Sequence, residues 1–371
     1  MILSSVFLKD FRSHLNTSIN FNIGLNYIVG GNGQGKTSIL ESIYYLCTTK
    51  SNISRSDAEV IRFDQNNFEI RGEFKDLTED KVRVIYSISE NKKLYYLNDK
   101  LVNRSAEVIG KFPVVILTPA DHAITQGSPA DRRKLIDSII SQASSNYLFF
   151  LLDYNKTLRQ RASLLNRMKE YKNQADYKEL DSWTEKLIEA GSEIIRYRKD
   201  FIEEYNQYLK ESYFEIMNNE EQPGIKYSYL NNSDSLYSIK VEFERLIKER
   251  RDDELRRGVN LVGPHRDDFV FEINDFNLKT FGSQGQNKTF QTALRFAEFF
   301  YLKDVVNKTP IFLLDDVFGE LDTFRSVKIS EYLKKIGQAF ITLTDFANFS
   351  FLVKDETDTL IKIKDRQITY A

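Results

Sequence analysis

Eight consecutive residues restrict this chain more than any others. Gly30-Gly31-Asn32-Gly33-Gln34-Gly35-Lys36-Thr37 fits the pattern G-x-x-x-x-G-K-S/T throughout. The apolar run Leu25–Val29 leads in as a strand, and Ser38–Leu46 leads out as a helix. That context separates a phosphate loop from a chance glycine-rich turn. The glycines let the backbone curl until its N–H groups face an anion, and the helix N-terminus adds its dipole. Lys36 places a point charge beside the β- and γ-phosphates, and the Thr37 hydroxyl reaches toward Mg²⁺. The prediction is an ATP site on residues 30–37.

A second element supplies carboxylates. Ile311–Leu314 reads as a buried strand that ends in Asp315-Asp316. The carboxyl edge of a parallel sheet is where a metal-bound phosphate lies. Asp315 is therefore the predicted partner of Mg²⁺, with Thr37. Asp316 is the predicted catalytic residue, orienting or deprotonating the attacking water. A turn bearing two solvated acids has the same local sequence, and the complete phosphate loop is what favours the metal reading.

Ser283-Gln284-Gly285-Gln286 precedes a helix, Gln286–Asp304, whose apolar face is Phe290, Leu294, Ala297 and Tyr301. Ser-x-x-Gln before such a run is a capping box. That accounts for Ser283 and Gln286 but not for Gly285, which is costly in a first helical turn. A serine hydroxyl, a glycine N–H and a helix N-terminus together form a γ-phosphate receptor. Ser283, Gly285 and Gln286 are predicted to contact nucleotide as a signature loop.

The chain divides into three textures. Residues 1–145 alternate short strands with turns. Ile2–Leu8, Phe68–Phe74, Val82–Ser89, Leu94–Leu97 and Val114–Leu117 read as strands, with a turn at Asn98-Asp99. Residues 146–250 read as helical. Leu151, Leu158 and Leu165 recur every seven residues; after a polar break around Lys172–Asp176, so do Leu180, Leu187, Ile194, Phe201 and Tyr208. Two heptad stretches joined by a polar loop predict an antiparallel hairpin of roughly 40 Å. A protruding arm and two packed helices of a globular subdomain satisfy the pattern equally. Residues 251–371 return to α/β texture, with strands at Ile311–Leu314 and Ala339–Leu343. The expected domains are an ATPase head from 1–145 and 251–371, with a helical arm domain at 146–250.

Composition narrows the setting. The single cysteine, Cys47, excludes an intrachain disulfide and fits a reducing compartment. The N-terminal segment lacks the basic and apolar regions of a signal peptide, and no apolar run is long enough to span a membrane. A cytoplasmic location is expected. The net charge of -2 argues against a uniformly basic DNA-binding surface but leaves room for a local stripe. The arm cations Arg159, Arg161, Arg167, Arg196, Arg198 and Lys199 are the candidate stripe; most fall outside the heptad seam, although Arg161 falls on it, and each singly reads as part of a solvated face. His265 lacks a second histidine at ligand spacing, so a hydrogen-bonded loop is expected there rather than a metal site. Arg132-Arg133-Lys134 opens a helix capped by Ser128, with Pro129 in its first turn. Cations there oppose the helix dipole and call for an anionic partner, acidic side chains or phosphate.

Taken in order, the phosphate loop, helical insertion, signature loop, Asp315-Asp316 strand and Gly319-Glu320-Leu321-Asp322 resemble the ABC ATPase heads of SMC-like proteins. Four segments resemble more narrowly the bacterial RecF family of DNA replication and repair proteins. They are Asn32–Thr37 followed by Leu40-Glu41, Gly127-Ser128-Pro129 with Arg132-Arg133, Gly263-Pro264-His265-Arg266-Asp267-Asp268, and Leu314–Phe318. Two positions depart from that pattern: Asn287 stands where a second glutamine is more usual, and Gly319 where a serine usually begins the loop after the Asp-Asp strand. The resemblance implies an ATP-dependent homodimer that binds DNA at single-strand/double-strand junctions. It also implies weak hydrolysis driving dimer dissociation, and a role with RecO and RecR in loading the recombinase at gaps during repair and replication. Other classes compatible with a phosphate loop are the engine of an ABC transporter and a P-loop phosphotransferase. The first expects a compact domain docking a membrane partner; the second needs a lid over an acceptor substrate.

Overall fold

The structure, a computed structural model, describes residues 1–170, 174–217, 221–230, 238–320, 322–346, 355–364 and 367–370. The chain folds as two compact units. The first comprises Met1–Asp121, Glu211–Glu220 and Lys288–Ala371; the second comprises His122–Lys210 and Glu221–Asn287.

Two six-stranded sheets build the first unit. One runs, in spatial order, Gln367–Tyr370, Thr359–Lys364, Leu25–Val29, Ala339–Leu343, Ile311–Leu314 and Val114–Leu117. Its strands are parallel except for the hairpin at the Gln367–Tyr370 edge. The four strands from Leu25–Val29 to Val114–Leu117 are buried at every position. A parallel strand covered on both faces is written as a continuous apolar run, and these four ranges match the sequence expectation residue for residue.

The other sheet is antiparallel, in the order His14–Asn20, Ile2–Phe11, Asn67–Lys75, Glu79–Ser87, Lys92–Leu97 and Lys100–Val102. Asn98 and Asp99 both take positive φ, 50° and 61°, and form the tight turn expected of them. The strands His14–Asn20 and Lys100–Val102 were not predicted. The helix Lys36–Thr48 lies in a core shared by the two sheets. Ile39, Leu40, Ile43 and Leu46 pack in one cluster with Leu3, Phe68 and Val84 of the antiparallel sheet and Ile28 and Leu313 of the parallel one.

The second unit holds the helical insertion. Its hairpin is Ser145–Glu170 followed by Gln174–Met217, a helix of 44 residues that is about 66 Å long at 1.5 Å per residue and continues into the first unit. Of the polar break between them, Lys172 and Asn173 lie outside the described residues. A third helix, Ile239–Arg257, joins the pair, with its Leu255 against a cluster of Leu164, Leu165, Met168 and Leu180. The hairpin is thus packed into a subdomain there.

The expectation of helix throughout 146–250 needs correction. Pro223–Ser228 is a strand, pairing antiparallel with Asp268–Ile273, which pairs in turn with Phe276-Asn277. Its partner lies some 40 residues downstream, so no local hairpin signal announces it. The unit boundaries also fall away from 145/146 and 250/251. Helix Pro129–Ala143 belongs with the arm helices because Arg198 of the long helix bonds both oxygens of Asp137, at 2.9 Å each. Strand Asp268–Ile273 joins them through the bidentate Arg132–Asp268 pair, at 2.8 and 2.9 Å. Among the described residues no helix is long and apolar enough to cross a membrane.

Candidate nucleotide site

Gly35 ends the phosphate loop as the N-cap of helix Lys36–Thr48, at φ 92° in the left-handed region. A side chain there is strained and also blocked. An added Cβ would stand 2.6 Å from Ser13 Oγ and 2.7 Å from His14 Nε2, so glycine is required on both counts. The Lys36 ammonium donates to the carbonyls of Gly30 (2.7 Å) and Gly31 (3.1 Å), lying over the loop it is expected to serve. Burial lowers its pKa, against the opposing pull of Asp316 and Asp315.

The two carboxylates differ. Asp315 is buried and its Oδ1 accepts from Thr37 Oγ1 (3.0 Å) and from Thr342 Oγ1 (2.8 Å). Desolvation raises its pKa, and those two hydrogen bonds pull it back down. Asp316 is exposed, at φ 51°, and its N–H donates to Thr342 Oγ1 (2.8 Å). Thr342 stands on the strand between the phosphate-loop strand and the Asp315 strand. One hydroxyl therefore fixes both acids. The result is one carboxylate pinned beside Thr37 and a second facing solvent.

A cavity of about 320 Å³ opens at this place. It is lined by the phosphate loop, Asp315, Asp316, Thr342 and Ser13. The donor set suits its expected ligands. Loop amides, a lysine and a helix N-terminus match polyphosphate, and the oxygens of Thr37 and Asp315 suit a hard divalent cation.

Ser13 was not anticipated. It sits in the turn between Ile2–Phe11 and His14–Asn20, and its Oγ is buried with no hydrogen-bond partner among the described residues. The turn is fixed from two sides. Arg12 forms a bidentate pair with Glu41 of the phosphate-loop helix (2.8 and 2.7 Å), and His14 Nε2 meets the Gly35 carbonyl at 3.1 Å. Glu41, singled out in the sequence without a role, therefore holds the turn that brings Ser13 to the cavity.

The signature loop belongs to the second unit. It forms the reciprocal cap foreseen as its local explanation. Ser283 N–H donates to Gln286 Oε1 (2.9 Å), and Gln286 N–H donates to Ser283 Oγ (3.1 Å). Helix Gln284–Val306 follows, with Gly285 in its first turn. Ser283 Oγ acts there as an acceptor and retains its proton for donation. Beyond the Asp-Asp strand, Gly319 is exposed, and an added Cβ would come no closer than 3.7 Å to Asp316 Oδ1; crowding does not dictate glycine. Leu321 and the Glu320 side chain lie outside the described residues, while Asp322 caps the next helix by accepting from Arg325 N–H (2.9 Å).

Comparison with known proteins is decisive. A family model described as an AAA domain matches residues 5–212. The DNA replication and repair protein RecF of Chloroherpeton thalassium is 40% identical, over 94% of this chain and 96% of its own length. The RecF of Salinibacter ruber is 35% identical, over 93% of this chain and 85% of its own. The chain belongs to the RecF family. The solved structure of the recombination mediator protein RecF-ATP in the RecFOR pathway is 32% identical, covers 100% of this chain and 97% of its own, and has a TM-score of 0.90. An Smc head domain with an extended coiled coil, bound to the C-terminal domain of ScpA and derived from Pyrococcus furiosus, is 16% identical, with a TM-score of 0.57 over 100% of this chain and 95% of its own. That likeness concerns fold alone. The fold is an ABC-type P-loop ATPase head with an inserted helical hairpin.

The RecF-like segment Gly263–Asp268 organises the second unit. Gly263 takes φ 130°, and an added Cβ would stand 2.5 Å from the Tyr154 hydroxyl. The Pro264 carbonyl accepts from Arg198 (2.8 Å), and His265 Nδ1 pairs with Tyr154 Oη (2.6 Å). Asp267 accepts from Tyr227 (2.5 Å). Arg132 finds its anion in Asp268, and Arg133 donates to the Asp267 carbonyl (2.6 Å). An acidic side chain and a backbone carbonyl answer those two cations. His265 is a hydrogen-bonded loop histidine, as expected.

Two of the six cations of the candidate arm stripe are buried and so leave it, while the other four are exposed. Arg161 and Arg198 are 1% and 2% exposed. Arg161 is held by Glu254 (2.6 Å), Asn260 (2.6 Å) and Thr184 (2.9 Å). Arg167 pairs with Asp176 and Glu179, and Arg196 with Glu193 and Asp200. Desolvating an unpaired guanidinium is prohibitive, so a buried one implies a buried acid. Arg159 and Lys199 remain exposed.

Proposed function

We propose that this chain is an ATP-dependent, DNA-binding recombination mediator whose two copies enclose ATP between the phosphate loop of one and the signature loop of the other. One observation carries the reading. The cavity at the phosphate loop brings Lys36 and Thr37 together with Asp315 and Asp316, the donors and acids that one ATP calls for, and the family membership supports a second chain as the source of Ser283, Gly285 and Gln286. Gly30–Thr37 bind the phosphates, and Ser283 donates its hydroxyl proton to the γ-phosphate of the partner's ATP. Mg²⁺, which neutralises charge on the phosphate oxygens when bound, would be held by Thr37 and Asp315. Asp316 orients the attacking water and accepts its proton.

Family membership and the RecFOR likeness support the further steps: binding at single-strand/double-strand junctions, a partnership with RecO and RecR, recombinase loading at gaps, and slow hydrolysis that dissolves the dimer. They also favour this reading over a transporter engine or a phosphotransferase. The test is solution mass with and without ATP, then with gapped DNA, alongside the hydrolysis rate. ATP-dependent doubling of mass with DNA-stimulated hydrolysis is the expected result. A monomer that hydrolyses ATP at a rate indifferent to DNA would overturn it.

A further inference from the structure

We propose that Gln126 and Asn287 are positioning residues that together set the signature loop; this rests on the trans-site reading above. Asn287 directly follows the loop and is 6% exposed. Its Nδ2 donates to the carbonyls of Gly282 (3.2 Å) and Ser283 (2.9 Å), and its Oδ1 accepts from Gln126 Nε2 (2.7 Å). The amide orientation is thereby fixed: turned over, it would set oxygen against two carbonyls and nitrogen against another amide NH₂. The Ser283 carbonyl also takes the Asn287 backbone N–H (3.0 Å). With the reciprocal cap on Gln286, Ser283 is held at its N–H, its carbonyl and its Oγ lone pair, which leaves the hydroxyl proton for a phosphate.

Gln126 is a firm post for this purpose. It ends the helix His122–Gln126, and the carbonyl of the next residue, Gly127, accepts from Lys279 Nζ (2.8 Å) and Arg132 Nη1 (3.2 Å). The loop therefore takes its position from a segment some 160 residues earlier in the chain, by way of one side-chain amide. Asparagine at 287, where the RecF pattern more often has glutamine, supplies the acceptor and both donors that this arrangement uses.

The test uses full-length Gln126→Ala, Asn287→Ala, the double variant and Asn287→Gln, with Ser283→Arg as reference. Fluorescent-ATP binding to the monomer, ATP-dependent dimerisation and turnover are measured at matched melting temperature. Each alanine variant should keep monomer ATP affinity within about twofold, since the phosphate loop is a separate site. Dimerisation and turnover should each weaken ~10-fold, the scale of a lost buried hydrogen bond. The double variant should be no worse than the worse single one, and Asn287→Gln should recover much of the loss. If Asn287→Ala fails to fold, Gln126→Ala carries the test from outside the loop. Normal dimerisation and turnover in the single variants, or effects that multiply in the double, overturn the pair while a blocked Ser283→Arg leaves the trans site standing. A normal Ser283→Arg overturns both.

Discussion

Thr37 and Asp315 lie 278 residues apart in sequence and share a hydrogen bond of 3.0 Å. The same carboxylate oxygen accepts from Thr342, whose hydroxyl also receives the Asp316 N–H. Asp315 is thus committed to Thr37 and Asp316 to solvent, a division from which distinct phenotypes follow. Asp315→Asn should weaken Mg²⁺-dependent ATP binding. Asp316→Asn should retain ATP and the ATP-bound dimer while hydrolysis falls by ~10²-fold, the scale for losing a positioned base. Titrating nucleotide with and without Mg²⁺, then following phosphate release in single turnover, separates the two. Hydrolysis by Asp316→Asn at the wild-type rate would remove that residue from the mechanism.

Ser13 carries a second prediction. Its Oγ is buried at the cavity without a partner among the described residues, and burying a hydroxyl in that state is costly. A phosphate oxygen would satisfy it. Ser13→Ala should therefore lower ATP affinity about tenfold, as expected for a hydrogen bond to a charged group. The melting temperature of the nucleotide-free chain should not fall. Equal ATP affinity in the two proteins, measured calorimetrically, would show that Ser13 faces no ligand.

The parts of this site that could be read from sequence are those written contiguously. Gly30–Thr37 and Asp315-Asp316 each follow a strand whose unbroken apolar character reflects burial on both faces. Ser13 and Thr342 could not be found in that way: Thr342 reaches the cavity through strand order and Ser13 through a turn held by Glu41, and neither belongs to a local pattern. Arg161 and Arg198 were misread for a related reason. Arg161 falls on the heptad seam of its helix, a signal of burial that the charge outweighed, while Arg198 lies among solvated cations of the next helix; their acids Glu254 and Asp137 arrive from elements 93 and 61 residues away. Ser283 and Gln286 were legible both as a cap and as a signature, and the structure contains the cap in full.

The loop at His265 predicts a pH effect. Burial pushes the imidazole down to about 4, from an ordinary value near 6.5. Because the folded value lies below the unfolded one, this contribution to stability is complete above pH ~6.5 and is lost as pH falls through ~4. Asp267, pushed up to about 6 by burial, acts in the opposite sense, so the informative comparison is with His265→Gln. Between pH 6.5 and 4, wild type should lose about 3 kcal/mol more unfolding free energy than the variant, at 1.36 kcal/mol per pKa unit. Urea unfolding at a series of pH values tests this, and parallel curves would refute it.

The trans arrangement makes the most demanding prediction. Lys36 belongs to the first unit and Ser283 to the second, and both are expected at a γ-phosphate. Lys36→Ala should abolish tight ATP binding by removing the cation from the phosphates. Ser283→Arg should leave monomer ATP binding nearly intact, because the phosphate loop is untouched, while bulk and charge at the interface block dimerisation and turnover. Neither chain alone should hydrolyse ATP. Mixed together, they can form a dimer in which one site joins the sound phosphate loop of the Ser283→Arg chain to the sound signature loop of the Lys36→Ala chain. Some turnover should return, scaling with the product of the two concentrations; it should stay below half of wild type, since the other site of that dimer carries both lesions. If Ser283→Arg alone dimerises and hydrolyses normally, Ser283 faces no nucleotide, and the two-chain site has to be abandoned.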